Sequence, residues 1–174
     1  DIQNDYFPGG LQPLVGVESA SQSAAAALQR FRDCDEPVIH IRHVFADASA
    51  PFFRPETDGV EIHASVTPDK GETIVTKQFV NAFRDTELER LLQSLRADRL
   101  VIAGAMSHMC VEGTTRAAAD LGFGCQVIQD ACATCDQRFG EQIVAATDVH
   151  ATAMSTLGFA YAEVLSLGEW LNRS

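Results

Sequence analysis

Apolar residues recur at two periods along this chain of 174 residues. Leu88, Leu91, Leu92 and Leu95 repeat at three- and four-residue steps, which predicts a helix over 86–95 with one buried stripe. The alanine-rich stretch from Ala20 to Phe31 also reads as a helix, with Ser19 or Ser21 near its cap. Further helices are predicted over 110–121, ended by Gly122, over 142–157, ended by Gly158, and over 168–171. Short apolar or β-branched runs at 37–44, 73–76, 100–104, 125–128 and 162–165 read as strands. Strands that alternate with helices predict an α/β fold: a mainly parallel sheet covered on both faces.

One segment breaks the alternation. Residues 46–71 carry Pro51, Pro55 and Pro68 with two glycines, and read as a long irregular excursion. A loop of that length inside a compact domain is usually functional. Within it, Phe52-Phe53-Arg54-Pro55 is a candidate lid over a cleft. Arg54 is open to two readings, a clamp for a substrate carboxylate or a solvated side chain.

The chemistry concentrates at Ser107-His108-Met109-Cys110-Val111, directly after the apolar run Leu100–Gly104. A strand that ends at a glycine and turns into a helix sets Cys110 among unpaired N–H groups, at the positive end of the helix dipole. Both favour thiolate, and the same N–H groups can hold an oxyanion. By position alone a lone thiol can equally be a small apolar filler. Lys77 follows a β-branched run, so its stem packs along an apolar wall while its ammonium reaches a cleft. With Asp1 this supplies an acid, a lysine and a cysteine, the parts of an activated thiol.

Composition narrows the field. An apolar content of 46% over this length suits a single domain, 1–174, with a full core. A net charge of −11 argues against nucleic-acid or membrane surfaces as partners, and no apolar run approaches the roughly 18 residues of a membrane helix. Five cysteines at irregular spacing do not form a disulfide pattern, so a reducing cytoplasm is the expected location.

Three motifs in order carry a resemblance. They are Asp1-Ile2-Gln3-Asn4-Asp5-Tyr6, then Thr76-Lys77 with Asn81-Ala82-Phe83, then Gly104, Ser107 and Cys110-Val111 followed by Thr114-Thr115-Arg116. Together with Gly59 to His63, Pro68 and Asp130-Ala131, they resemble the isochorismatase-like cysteine hydrolase superfamily, which includes nicotinamidases and carbamoylsarcosine amidases. The resemblance implies a three-layer α/β/α, Rossmann-like architecture and a catalytic triad of Asp1 as base, Lys77 and Cys110. It also implies an oxyanion hole from the N–H groups of Met106 and Cys110, with a cis peptide at Ala105–Met106. The family's first strand ends at this aspartate, so an apolar strand is expected ahead of residue 1. Dimers or tetramers are common in the family, and a homo-oligomer acting on a small molecule is expected.

Other residues stay open between roles. Tyr6 lines the pocket or is a core aromatic, and Phe53, Phe79 and His108 are further pocket candidates. His108 is two residues from Cys110 and points away from it on a helix, so a thiol–imidazole dyad between them is disfavoured. Asp5 and Asn81 read as loop anchors, and His63 as a residue that shapes the excursion. His40 and His43 fall on opposite faces of one strand. Cys132 and Cys135 form a C-x-x-C without a helix start or further ligands, and Cys34 and Cys125 read as filler. The Asp-x-His metal pair of nicotinamidases is missing, because neither Asp47 nor Asp58 has a histidine two places on. No metal and no cofactor is therefore expected. Three functions follow: a hydrolase of small amides, carbamoyl compounds or lactams; an isochorismatase-type vinyl-ether hydrolase; or a redox or non-catalytic thiol protein of the same fold.

Overall fold

The computed structural model describes residues 1–173. In chain order the main elements are α1 (Val17–Asp33), β1 (Ile39–His43), β2 (Thr73–Lys77), α2 (Leu88–Ser94), β3 (Arg99–Ala105), α3 (Glu112–Asp120), β4 (Gly124–Ala133), β5 (Gln137–Phe139), β6 (Gln142–Val144), α4 (Ala146–Ala160), β7 (Glu163–Leu165) and α5 (Leu167–Leu171). A π-helical turn over Ser107–Val111 runs straight into α3. The expected α/β fold is present. β1 and β2 pair in parallel, and β3, β4 and β7 form a second parallel set in that order. β1 and β3 are not paired with each other. An apolar slot of about 240 Å³ separates them, walled by Ile39, Ile41, Leu100 and Ile102, with Asp1 also on its lining.

The period of two sorts the core. Ile128 faces α1 and α5, packing with Ala24, Ala27, Leu165 and Trp170. Its neighbour Val127 faces the other layer, with Val111, Met154 and Leu157. A third cluster of Tyr6, Phe7, Leu14, Phe53, Met106 and Ala133 closes the end of the sheet where β3 and β4 finish. Small side chains let α1 lie close to the sheet, which is why its buried face is alanine.

Several boundaries differ from the sequence reading. α1 begins three residues early, with Gly16 at its cap in the left-handed region (φ 73°) and Ser21 inside the helix, donating to the Glu18 carbonyl at 2.8 Å. The helix expected from 142 starts at Ala146. Residues 137–144 instead form an antiparallel hairpin, and the Asp136 carboxylate accepts the Ala146 N–H at 2.8 Å to start α4 after it. β4 reaches Ala133 rather than 128, because a shift in register lets it rejoin β3 at Gly104 and Ala105. Gly104 has φ 132°, and a Cβ there would sit 3.1 Å from the Asp1 nitrogen. Glycine thus lets the start of the chain pass against the end of β3, where the Ala105 N–H donates to the Asp1 carbonyl at 3.0 Å.

The excursion is pinned from two sides. The buried Asp5 carboxylate accepts from the Phe53 N–H at 2.6 Å and the Leu11 N–H at 3.1 Å. At the other end, Arg32 of α1 grips Glu72 through two nitrogens at 2.7 and 2.8 Å, and His40 of β1 meets the same carboxylate at 2.8 Å. The Arg32 hydrogen bonds come first among the causes that hold the Glu72 carboxyl down at about 2.

Two expectations follow. A carboxyl depressed in the fold stabilises it above its ordinary value and loses that contribution as pH falls through the folded one. Glu72→Gln should therefore cost about 1–3 kcal/mol at neutral pH, and stability should depend less on pH between 4.5 and about 2, as read by denaturant unfolding across pH. A Cβ at Gly59 would run into the Asp5 carboxylate. Gly59→Ala should lower the urea midpoint by the equivalent of about 1–3 kcal/mol.

Candidate active site

β1 and β2 end side by side. Their register pairs His43 with Lys77, so the last side chains of the two strands lie on the same face, and both are buried. Lys77 is almost fully enclosed, at 1% exposure. Its Nζ lies 2.7 Å from Asp1 Oδ2 and donates to the Val80 carbonyl at 2.9 Å. Burial lowers the Lys77 ammonium below its ordinary value, while charge and hydrogen bonding at Cys110 pull it back up. Asp1 and Cys110 are 109 positions apart in the chain, yet both meet the same ammonium.

Cys110 is buried in the π-turn, near the start of the helical run that continues as α3. Its Sγ lies 3.9 Å from His43 Nδ1. The Ala105–Met106 peptide is cis, as the resemblance implied. The Met106 carbonyl accepts from the Met109 and Val111 N–H groups at 3.1 and 3.2 Å, which folds the turn around Met106 and Cys110. Ser107 Oγ anchors that turn from beneath, at 3.2 Å from the Ala133 carbonyl and 2.8 Å from His150 Nδ1.

Aromatic rings form one wall. Tyr6 is buried and meets Phe53 edge-on at 4.7 Å between centroids. Burial raises the Tyr6 phenol well above its ordinary range, with further contributions from Cys110, Cys135 and Asp5. Phe53 is fully enclosed, with φ 50°, and so belongs to the wall rather than to a mobile lid. Arg54 donates through Nε to the Ala50 carbonyl at 2.7 Å, within its own loop.

Two pocket candidates sit elsewhere. Phe79 is half-buried, and its ring carries the Arg84 guanidinium at 3.6 Å rather than joining the Tyr6–Phe53 wall. His108 bonds through Nδ1 to Thr134 Oγ1 at 2.7 Å, tying the π-turn to the end of β4. The C-x-x-C splits. Cys132 is buried, and burial pushes its thiol up to about 12, while Cys135 lies 3.8 Å from Met106 Sδ. All five cysteines are free. Among the described residues, no group of three or more His, Cys, Asp and Glu side chains is placed to hold a metal ion, and no helix is long and apolar enough to cross a membrane.

Two residues of the site, Gln3 and His43, were given no functional role from the sequence. Gln3 is fully buried and clamps the backbone of His43: its Nε2 donates to the His43 carbonyl at 2.8 Å, and its Oε1 accepts the His43 N–H at 2.7 Å. A third bond from Nε2 to the Val60 carbonyl, at 2.7 Å, joins the excursion to the same point. His43 itself is held neutral over most of the pH range. Burial comes first and the Lys77 charge second in lowering it to about 4, against the nearby Gln78 backbone. The sequence signal for both was indirect: a glutamine inside the opening motif, and a histidine ending a strand.

Comparison with known proteins shows which family the chain belongs to. Residues 1–166 match the family model described as Isochorismatase domain. The chain is 45% identical to the uncharacterized isochorismatase family protein YddQ of Bacillus subtilis, over 94% of this chain and 91% of that one. It is 32% identical to maleamate amidohydrolase of Pseudomonas putida, over 74% of this chain and 67% of that one. Among solved structures, an isochorismatase-type hydrolase from Oleispira antarctica superposes with a TM-score of 0.95 at 49% identity, covering 99% of this chain and 92% of that one. The fold, the ordered motifs and these relatives together show that the chain belongs to the isochorismatase family of hydrolases.

Proposed function

We propose that this chain hydrolyses a C–N bond of a small amide, carbamoyl compound or lactam through a thioester on Cys110. The observation that carries the reading is the buried Lys77 ammonium. It holds Asp1 at 2.7 Å and interacts with the Cys110 sulfur. Asp1 Oδ1 is buried and has no hydrogen-bond partner, which leaves it open to accept a proton. The amidohydrolase relative supports a C–N substrate.

In this reading Asp1 takes the proton from the Cys110 thiol, and the sulfur attacks the substrate carbonyl. The carbonyl π pair moves onto oxygen, where the Met106 and Cys110 N–H groups receive it; donors of this kind lower a barrier by about 3–4 kcal/mol. The pair returns, the C–N bond breaks, and the departing nitrogen takes the proton from Asp1. Water then gives a proton to Asp1 and attacks the thioester; the C–S bond breaks, the acid leaves, and the Cys110 sulfur takes the proton back from Asp1. Lys77 keeps Asp1 and the sulfur in place through both steps. Tyr6 and Phe53 shape the pocket.

Cys110→Ala should keep its circular dichroism spectrum and lose ammonia release from a panel of small amides by at least about a thousandfold. Turnover that survives in this variant would overturn the nucleophile. The same variant tested on isochorismate separates the vinyl-ether reading, in which protonation of an enol ether needs no thiol. Lys77→Met should abolish turnover and cost about 3–5 kcal/mol of stability in denaturant unfolding, because it leaves the Asp1 carboxylate buried without its cation.

A further inference from the structure

We propose that His43 is a second hydrogen-bond donor to the Cys110 sulfur, holding the nucleophile charged and aimed alongside Lys77. The inference rests on the reading of Cys110 as nucleophile and adds a residue to it.

Four observations converge. Lys77 has three N–H groups, and two are committed to Asp1 Oδ2 and the Val80 carbonyl. One remains for the sulfur, so a thiolate there needs further donors to be well held. His43 Nδ1 is 3.9 Å from that sulfur, within reach of a long sulfur hydrogen bond. The imidazole is placed rather than loose: Gln3 grips its backbone from both sides, the parallel register fixes it beside Lys77, and the rings of Phe45 and Phe53 lie 4.5 and 5.7 Å from its own. Its other nitrogen, Nε2, is buried without a partner.

The last point assigns the proton. Buried acceptors without partners are tolerated more often than buried N–H groups without partners. A proton on Nε2 would have no partner within hydrogen-bond distance, whereas a proton on Nδ1 faces the sulfur; the Gln78 backbone, which raises the ring's basicity against its burial, is the other acceptor near the imidazole. Burial and the neighbouring Lys77 charge keep the ring neutral at working pH, so it has one N–H to give and adds no second cation to the pocket. The titratable groups around the sulfur are Lys77 from β2, Asp1 across it, Tyr6 from the first turn of the chain and His43 from β1. Of these, His43 alone is a neutral donor on a rigid strand end.

The test reads the sulfur directly, without turnover. Iodoacetamide labelling of the Cys110 peptide is followed by mass spectrometry, and the rate at about pH 7 is divided by the rate at about pH 10, so that accessibility cancels. His43→Phe should lower this ratio about tenfold, with kcat falling in parallel and KM little changed. His43→Asn keeps a side-chain N–H near the same place and should restore the ratio to within about threefold of the parent. If the phenylalanine variant does not fold, His43→Met makes the same comparison. A folded variant without the donor that leaves the ratio unchanged overturns the proposal. So does a raised ratio, which would mean that the imidazole accepts the thiol proton instead. A failure of the nucleophile reading is distinct: it is seen as turnover in Cys110→Ala, whatever the labelling ratio does.

Discussion

The buried ion pair between Lys77 and Asp1 is the constraint on which the rest of the site depends. An ammonium at 1% exposure is strongly unfavourable without an anion and further acceptors. The structure meets that demand with Asp1 Oδ2, the Val80 carbonyl and the sulfur of Cys110. Each partner comes from a different part of the chain: the N-terminal motif, the loop after β2 and the turn after β3. One charge therefore draws three segments to the same point. It also explains why Asp1 has one oxygen tied and one free of hydrogen bonds, a state suited to passing a proton.

Around this charge the fold builds rigidity from backbone contacts. Gln3 binds the end of β1 and the excursion at once, and Asp5 binds Phe53 and Leu11. Both belong to the opening motif, yet neither reaches the reacting atoms in the proposed mechanism. Their work is to hold strands and loops whose own side chains form the pocket. The same division holds after β3, where Ser107 and His108 fasten the π-turn to β4 and α4 and Cys110 is left facing His43. Acid and base chemistry at one point needs such a scaffold, because misplacement of a reacting group by about 1 Å can cost on the order of a hundredfold in rate.

Much of this was legible in the residues. The alternation of apolar runs and helical stripes carries the α/β class, since it reflects which faces must be buried. The motifs around Asp1, Lys77 and Cys110 carry the proposed chemistry, because few residue types supply a base, a fixed cation and a nucleophile. The hairpin at 137–144 was not legible: Phe139 and Ile143 are exposed there, so the pattern lacks the burial that identifies a strand. Phe79 was misassigned because an aromatic near a lysine carries no information about which way its ring turns.

The chain's own order of residues thus determined the type of fold, through which faces must be buried, and set an acid, a lysine and a thiol in motifs whose resemblance to a known family implied both their proposed roles and the cis peptide at Ala105–Met106. Only the tertiary structure decided that His43 lies beside Lys77 and near Cys110. That proximity comes from the register of two parallel strands separated by residues 44–72, a largely irregular excursion whose length leaves register undetermined. It likewise decided that Phe53 is a wall and not a lid, because the Asp5 carboxylate reaches across 48 positions to take its N–H. Contacts between distant segments depend on where whole elements pack, and no window of sequence contains that.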